Sequence, residues 1–121
     1  MKNIKLNSTN QLNKTVLAKC PVTHTLDVMG GRWKPILLWE LSNGSRRYGE
    51  LKKALPAITE KVLIEKLKEL EADGLVKRIA LPVVPPHVTY ELTKEGASLQ
   101  PILLAMATWG KRQLLHEMEV G

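Results

Sequence analysis

The stretch "TEKVLIEKLKELEADG", Thr59 to Gly74, runs straight into "LVKRIAL", Leu75 to Leu81, and the change of pattern at one glycine constrains this chain more than any other feature. Leu63, Leu67 and Leu70 recur at i, i+4 and i+7, one stripe of an amphipathic helix. At about 100° per residue from Leu63, Lys61, Glu65 and Lys68 fall opposite, with Val62 and Ile64 on the flanks. Thr59 is a natural N-cap and Gly74 a natural stop. One face packs and the other looks outward. After Gly74 the β-branched, apolar "LVKRIAL" and the alternating "HVTYEL", His87 to Leu92, read as two strands of an antiparallel hairpin whose loop is longer than a tight turn.

Helices precede and follow this unit. Cys20-Pro21 opens a short helix with Val22, Leu26 and Met29 at helical spacing, and Gly30-Gly31 ends it. "RWKPILLWELSNGS" is too apolar for a surface helix and is placed in the core. "RYGELKKAL" is a third, short helix stopped by Pro56. From Thr93, a candidate cap, the chain reads as one long helix or as two joined at Pro101. Its Leu99, Ile102, Leu103, Met106, Trp109, Leu114, Leu115 and Met118 exceed what one stripe on a small core requires, so a partner helix is expected to cover the rest. Residues 1–19, polar and Asn-rich, read as a flexible arm, and residues 20–121 as one domain.

Composition supports a small, Leu-rich helical domain: 121 residues, 44% hydrophobic, three Trp and no Phe. The formal charge of +6 is unevenly placed. The arm holds Lys2, Lys5, Lys14 and Lys19 with no acid, and residues 46–78 hold nine bases against six acids. Such a distribution suits nucleic acid first and an anionic membrane second, or else a merely solvated basic surface. A single Cys excludes an intrachain disulfide and a cysteine-based zinc site. No signal-peptide pattern and no membrane-length apolar run is present, so a cytoplasmic location is the expectation.

Mainly α structure with a small antiparallel hairpin, in this order, is a helix-turn-helix followed by a wing. A helix enters the major groove, where base edges are distinguishable, while phosphate contacts supply affinity without reading sequence. Thr59, Lys61, Val62, Ile64, Glu65 and Lys68 are the candidate recognition residues, with Thr59 and Lys61 at a helix start that favours phosphate. Ile64 would touch a thymine methyl; Glu65 would accept from cytosine N4 or else pair with Lys61 or Lys68. Arg46, Arg47, Lys77 and Arg78 are either phosphate contacts or solvated charges. Pro82, Pro85 and Pro86 stiffen the hairpin tip and deny it N–H donors, so it cannot recruit another strand and loses little entropy on meeting DNA; His87 would donate to a phosphate there. A winged-helix protein-interaction module without DNA binding remains the alternative.

From Cys20 to about Gly110 the chain resembles the HxlR family of bacterial and archaeal winged helix-turn-helix transcriptional regulators, related to the MarR group. The resemblance rests on "CPV" at Cys20, "LDVMGGRW" at Leu26, "RRYGELKKALPAIT" at Arg46, "LKELEADGLVKR" at Leu67, "VPPHVTYELTKEG" at Val84, and Trp109-Gly110. It implies a homodimer built from terminal helices, a pseudo-palindromic operator in double-stranded DNA, and a wing at the proline segment. Ile64 and Glu65 depart from the small polar, Gln or Arg residues common on that face in relatives. Some members sense oxidants or electrophiles near the position of Cys20. Here Lys19, the helix beginning at Pro21, and His24 would all favour thiolate, although a lone Cys is also an ordinary small packing residue. A small-molecule signal is equally open. His24, His87 and His116 are scattered, and no metal-ligand spacing, catalytic triad order or nucleotide fingerprint is present, so neither enzyme, metal nor cofactor is expected. Arg32 and Trp33 read as packing residues, with a cation–π contact between them within reach.

Overall fold

The computed structural model describes residues 20–120 and falls into two units, divided after Gly31. Of the sequence expectations, the basic arm of residues 1–19 lies outside the described residues. The first unit contributes α1, Pro21–Met29, with Pro21 at its first position and Cys20 at the N-cap. His24 N–H donates to the Cys20 carbonyl at 2.9 Å, closing the first turn.

The second unit runs α2 (Trp33–Leu41), β1 (Arg46–Arg47), α3 (Tyr48–Ala54), α4 (Glu60–Ala72), β2 (Val76–Leu81), β3 (His87–Leu92), α5 (Lys94–Ala97) and α6 (Gln100–Val120). Its core is nearly all leucine. Leu37, Leu38 and Leu41 of α2, Leu51 of α3, and Leu63, Leu67 and Leu70 of α4 are buried together with Ile58, Leu75, Val76, Tyr90 and Leu103. With no Phe available, close packing is reached mainly with branched aliphatics, each contributing about 1.5–3 kcal/mol relative to exposure, and Tyr90 is the aromatic among these buried residues.

The expected two-stranded hairpin is a three-stranded antiparallel sheet in the order β1-β3-β2. Val76 to Leu81 pairs with Leu92 to His87, and Arg46 and Arg47 pair with Tyr90 and Thr89. A two-residue strand of arginines carries no alternation to detect. It exists because β3 has a free edge and the chain reaches it just before α3.

Two further expectations change. The α2 helix is not wholly core, since Trp39 on its outer side is 42% exposed and Ile36 half-buried. At the C-terminal end there are two helices, and the break comes at Ser98–Leu99 rather than at Pro101. Thr93 caps α5, accepting from Gly96 N–H at 3.0 Å. Pro101 then sits in the first turn of α6, where a missing N–H costs nothing. Gly96 is required because a Cβ there would run into the Leu75 carbonyl oxygen, where α5 backs onto the start of β2.

Among the residues of α6 whose burial is described, only Leu103 is buried, while Ile102, Leu104, Met106, Trp109, Leu114, Leu115 and Met118 are exposed. Pro35, Ile36 and Trp39 of α2 form, with Leu103, Met106 and Ala107, an apolar cleft of about 260 Å³. Among the described residues no helix is long and apolar enough to cross a membrane, and no cluster of metal-ligating side chains occurs.

Candidate nucleic-acid interface

Thr59 caps the start of α4, its Oγ1 accepting from the Val62 N–H at 3.2 Å, and the 13-residue helix runs from Glu60 to Ala72. Gly74 then takes φ 75°, the left-handed turn that a β-carbon resists. Its three leucines are sealed inside, and Thr59, Lys61, Ile64, Glu65 and Lys68 are exposed, with Val62 half-buried. The ion pairs among the described residues are Lys34–Glu69, Lys66–Glu69 and Lys77–Glu91, so Glu65 is not tied to Lys61 or Lys68. A continuous face of one acid, two ammonium groups and one branched apolar side chain is therefore open.

Hydrogen bonds fix this helix to the sheet. Leu75 N–H donates to the Leu70 carbonyl at 2.9 Å, and Thr93 Oγ1 donates to the Gly74 carbonyl at 2.6 Å, while Thr93 N–H donates to the Leu75 carbonyl at 3.0 Å. The turn after α4 is thus clamped to the end of β3, coupling helix to wing. At the other end, Tyr48 Oη donates to Glu60 Oε1 at 3.3 Å, joining the first residues of α3 and α4. Desolvation, followed by the nearby Glu60 carboxylate, holds the Tyr48 phenol above its ordinary pKa. Sequence reasoning missed this contact, because a Tyr and a Glu twelve residues apart on different helices leave no periodic signal.

The remaining candidates occupy different surroundings. Arg47 is exposed on β1, and its backbone N–H donates to Glu50 Oε1 at 2.8 Å, capping α3. Arg46 is half-buried, with Nη1 donating to the Ser45 carbonyl at 3.1 Å. Arg78 is exposed on β2, whereas its neighbour Lys77 meets Glu91 across the sheet at 3.6 Å. The wing loop from Pro82 to Pro86 is exposed throughout, with a cis Val84–Pro85 bond and Val84 almost fully in solvent. His87 is half-buried, and its Nε2 is shielded from solvent without a partner, so that nitrogen does not project toward a phosphate.

In the first unit, Cys20 is an exposed free thiol. Its pKa is lowered by the backbone N–H of Thr23, then by the Thr23 hydroxyl and the Val22 N–H, although none makes a full capping hydrogen bond. The cause is the start of α1 itself rather than His24, and Lys19 lies outside the described residues. Arg32, in the second unit, lies over the Trp33 ring at 5.5 Å from its centroid.

A leucine-backed helix with an open polar face, clamped to a three-stranded winged sheet, defines a winged helix-turn-helix protein. The HxlR-like helix-turn-helix family model matches residues 28–118, and the chain belongs to that family. It is 48% identical over 92 residues to the uncharacterised HTH-type transcriptional regulator YybR of Bacillus subtilis, covering 76% of this chain and 74% of that one. Among solved structures it is similar to the redox regulator HypR in its oxidised form, with TM-score 0.75 and 47% identity over 77% of this chain and 96% of that one. It also resembles the reduced form of the transcriptional regulator YodB from B. subtilis, with TM-score 0.68 and 35% identity over 78% and 93% of the two chains. The chain is a DNA-binding transcriptional regulator.

Proposed function

We propose that the protein acts in the cytoplasm as a homodimer on a pseudo-palindromic operator, with α4 of each subunit in the major groove of one half-site. The observation that carries this reading is the face bearing Lys61, Ile64, Glu65 and Lys68, exposed while the leucines behind it are sealed. Thr59 and Lys61 meet phosphate at the helix start, Ile64 and Glu65 meet base edges, and Val62 and Lys68 flank them. Arg47 and Arg78, both exposed, contribute phosphate contacts, and Arg46 does so from a half-buried position. Pro85 and Pro86 form the stiff tip that follows the flanking backbone, and His87 supports it from within. A second copy covers the apolar face of α6, placing the two recognition helices about 34 Å apart, one turn of DNA.

Cys20 is the proposed signal input. Two thiols, one from each subunit or one from a small thiol such as glutathione, lose two electrons and two protons to diamide and form one disulfide, while diamide becomes the hydrazine. HypR and YodB, as redox-state structures of similar fold, support the direction of this reading. No observation favours the protein-interaction alternative.

Titrating the protein against a duplex it selects from random DNA, beside a scrambled duplex at two ionic strengths and before and after diamide, tests both parts. Specific binding that weakens with salt is expected, together with a diamide effect that Cys20→Ser abolishes. Equal affinity for both duplexes ends the operator reading, and equal diamide response in the variant ends the sensor reading.

A further inference from the structure

Lys34 is the one charged side chain buried among the described residues, 8% exposed, and it lies in the first turn of α2. Both circumstances oppose it. A buried ammonium loses hydration, and a helix N-terminus is the wrong end for a cation. Its partner explains the placement: Nζ meets Glu69 Oε1 on α4 at 3.0 Å, and Lys66 Nζ reaches the same oxygen at 3.3 Å.

The other buried residues of α2 and α4 are all leucines, Leu37, Leu38 and Leu41 of α2 and Leu63, Leu67 and Leu70 of α4, and apolar burial is non-directional, so it fixes the roll of a helix less sharply than a bond does. Glu69 lies six residues from Leu63, about 120° round the helix from the centre of the stripe. A charge-assisted bond well off the axis of the stripe, here at 3.0 Å, resists roll far better than contacts at its middle. At the helix surface, about 5–6 Å from the axis, a roll of about 20° moves a side chain by about 2 Å, enough to lose a base-edge hydrogen bond.

We propose that Lys34, acting through Glu69, sets the roll of the recognition helix α4, so that Lys34 governs discrimination between DNA sequences without itself touching DNA. This rests on the reading of α4 as the groove-entering helix. Lys34 is a positioning residue: it is buried, so it neutralises no phosphate, and its influence passes through Glu69 to the face carrying Lys61, Ile64, Glu65 and Lys68.

The test compares wild type, Lys34→Met, Glu69→Gln and the double variant for affinity to the duplex selected by wild type and to a scrambled duplex, with thermal unfolding of each. The ratio of the two affinities is expected to fall about tenfold in each single variant, the scale of one lost base contact, and no further in the double. The two single changes alter net charge in opposite directions, so a purely electrostatic effect moves scrambled-duplex affinity oppositely in the two. Positioning lowers the ratio in both. Loss of folded protein alone lowers both affinities together and leaves the ratio unchanged.

An unchanged ratio in Glu69→Gln, or losses that simply add in the double variant, overturns the proposal. Should Lys34→Met fail to fold, Glu69→Gln decides alone, since Glu69 is two-fifths exposed and its replacement keeps the shape. If wild type itself does not distinguish the duplexes, the groove-entering reading of α4 has failed and this proposal falls with it. Discriminating wild type with an unaffected Glu69→Gln defeats only the Lys34 assignment.

Discussion

Glu65 and Ile64 stand next to each other on the open face of α4, and neither is held by an ion pair among the described residues. A carboxylate in the major groove is repelled by phosphate, so it is tolerable only where it accepts from a base such as cytosine. Glu65→Ala is therefore expected to change affinity by about tenfold at one base pair of the operator and little elsewhere. A panel of operators with single substitutions measures this. Glu69, by contrast, has its carboxyl held below the ordinary carboxylate range, chiefly by the Lys34 hydrogen bond, with Lys66 adding to it and desolvation opposing. A depressed folded-state pKa contributes stability above the unfolded value of about 4.3, and that stability is lost as pH falls through the lower folded value. Because Glu69 is two-fifths exposed the effect is small. Acidification from about pH 5 to 3 should still lower the melting temperature more in wild type than in Glu69→Gln, as read by circular dichroism.

At the scale of elements, the stripe of leucines in α4, its Thr59 cap and Gly74 stop, and the paired strands after it were legible because each obeys a local rule of period or backbone geometry. The β1 strand was not legible: two arginines join the sheet only because β3 offers an edge. Trp39 misled for a related reason, since an apolar run says that a helix is buried somewhere but not which side still awaits cover. The cover for Trp39 and for Leu104, Trp109, Leu114 and Leu115 of α6 is proposed to be a second subunit. Replacing Leu115, about half exposed, by Glu places a charge in that seam while sparing the core beneath Leu103. Sedimentation should show Leu115→Glu shifting to monomer, with operator affinity reduced at least tenfold because two half-sites no longer act together. An unchanged dimer locates the subunit contact elsewhere.

For the whole molecule, the candidate site was legible as far as periodicity reaches. Lys61, Glu65 and Lys68 were placed outward and Ile64 on the flank by helical spacing, whereas the inward turn of His87 Nε2, the Tyr48–Glu60 contact and the buried Lys34 depend on tertiary neighbours that no local pattern encodes. A net charge of +6 on a chain of 121 residues means that attraction to DNA will accompany any sequence reading, and salt separates the two. The most direct measurement is the salt dependence of DNA affinity for wild type and Lys61→Ala. The expected result is that log affinity falls linearly with log salt for both, with Lys61→Ala weaker on every duplex and its slope shallower by about one unit. Identical slopes and affinities for the two proteins would contradict it, because α4 would then not face the phosphate backbone.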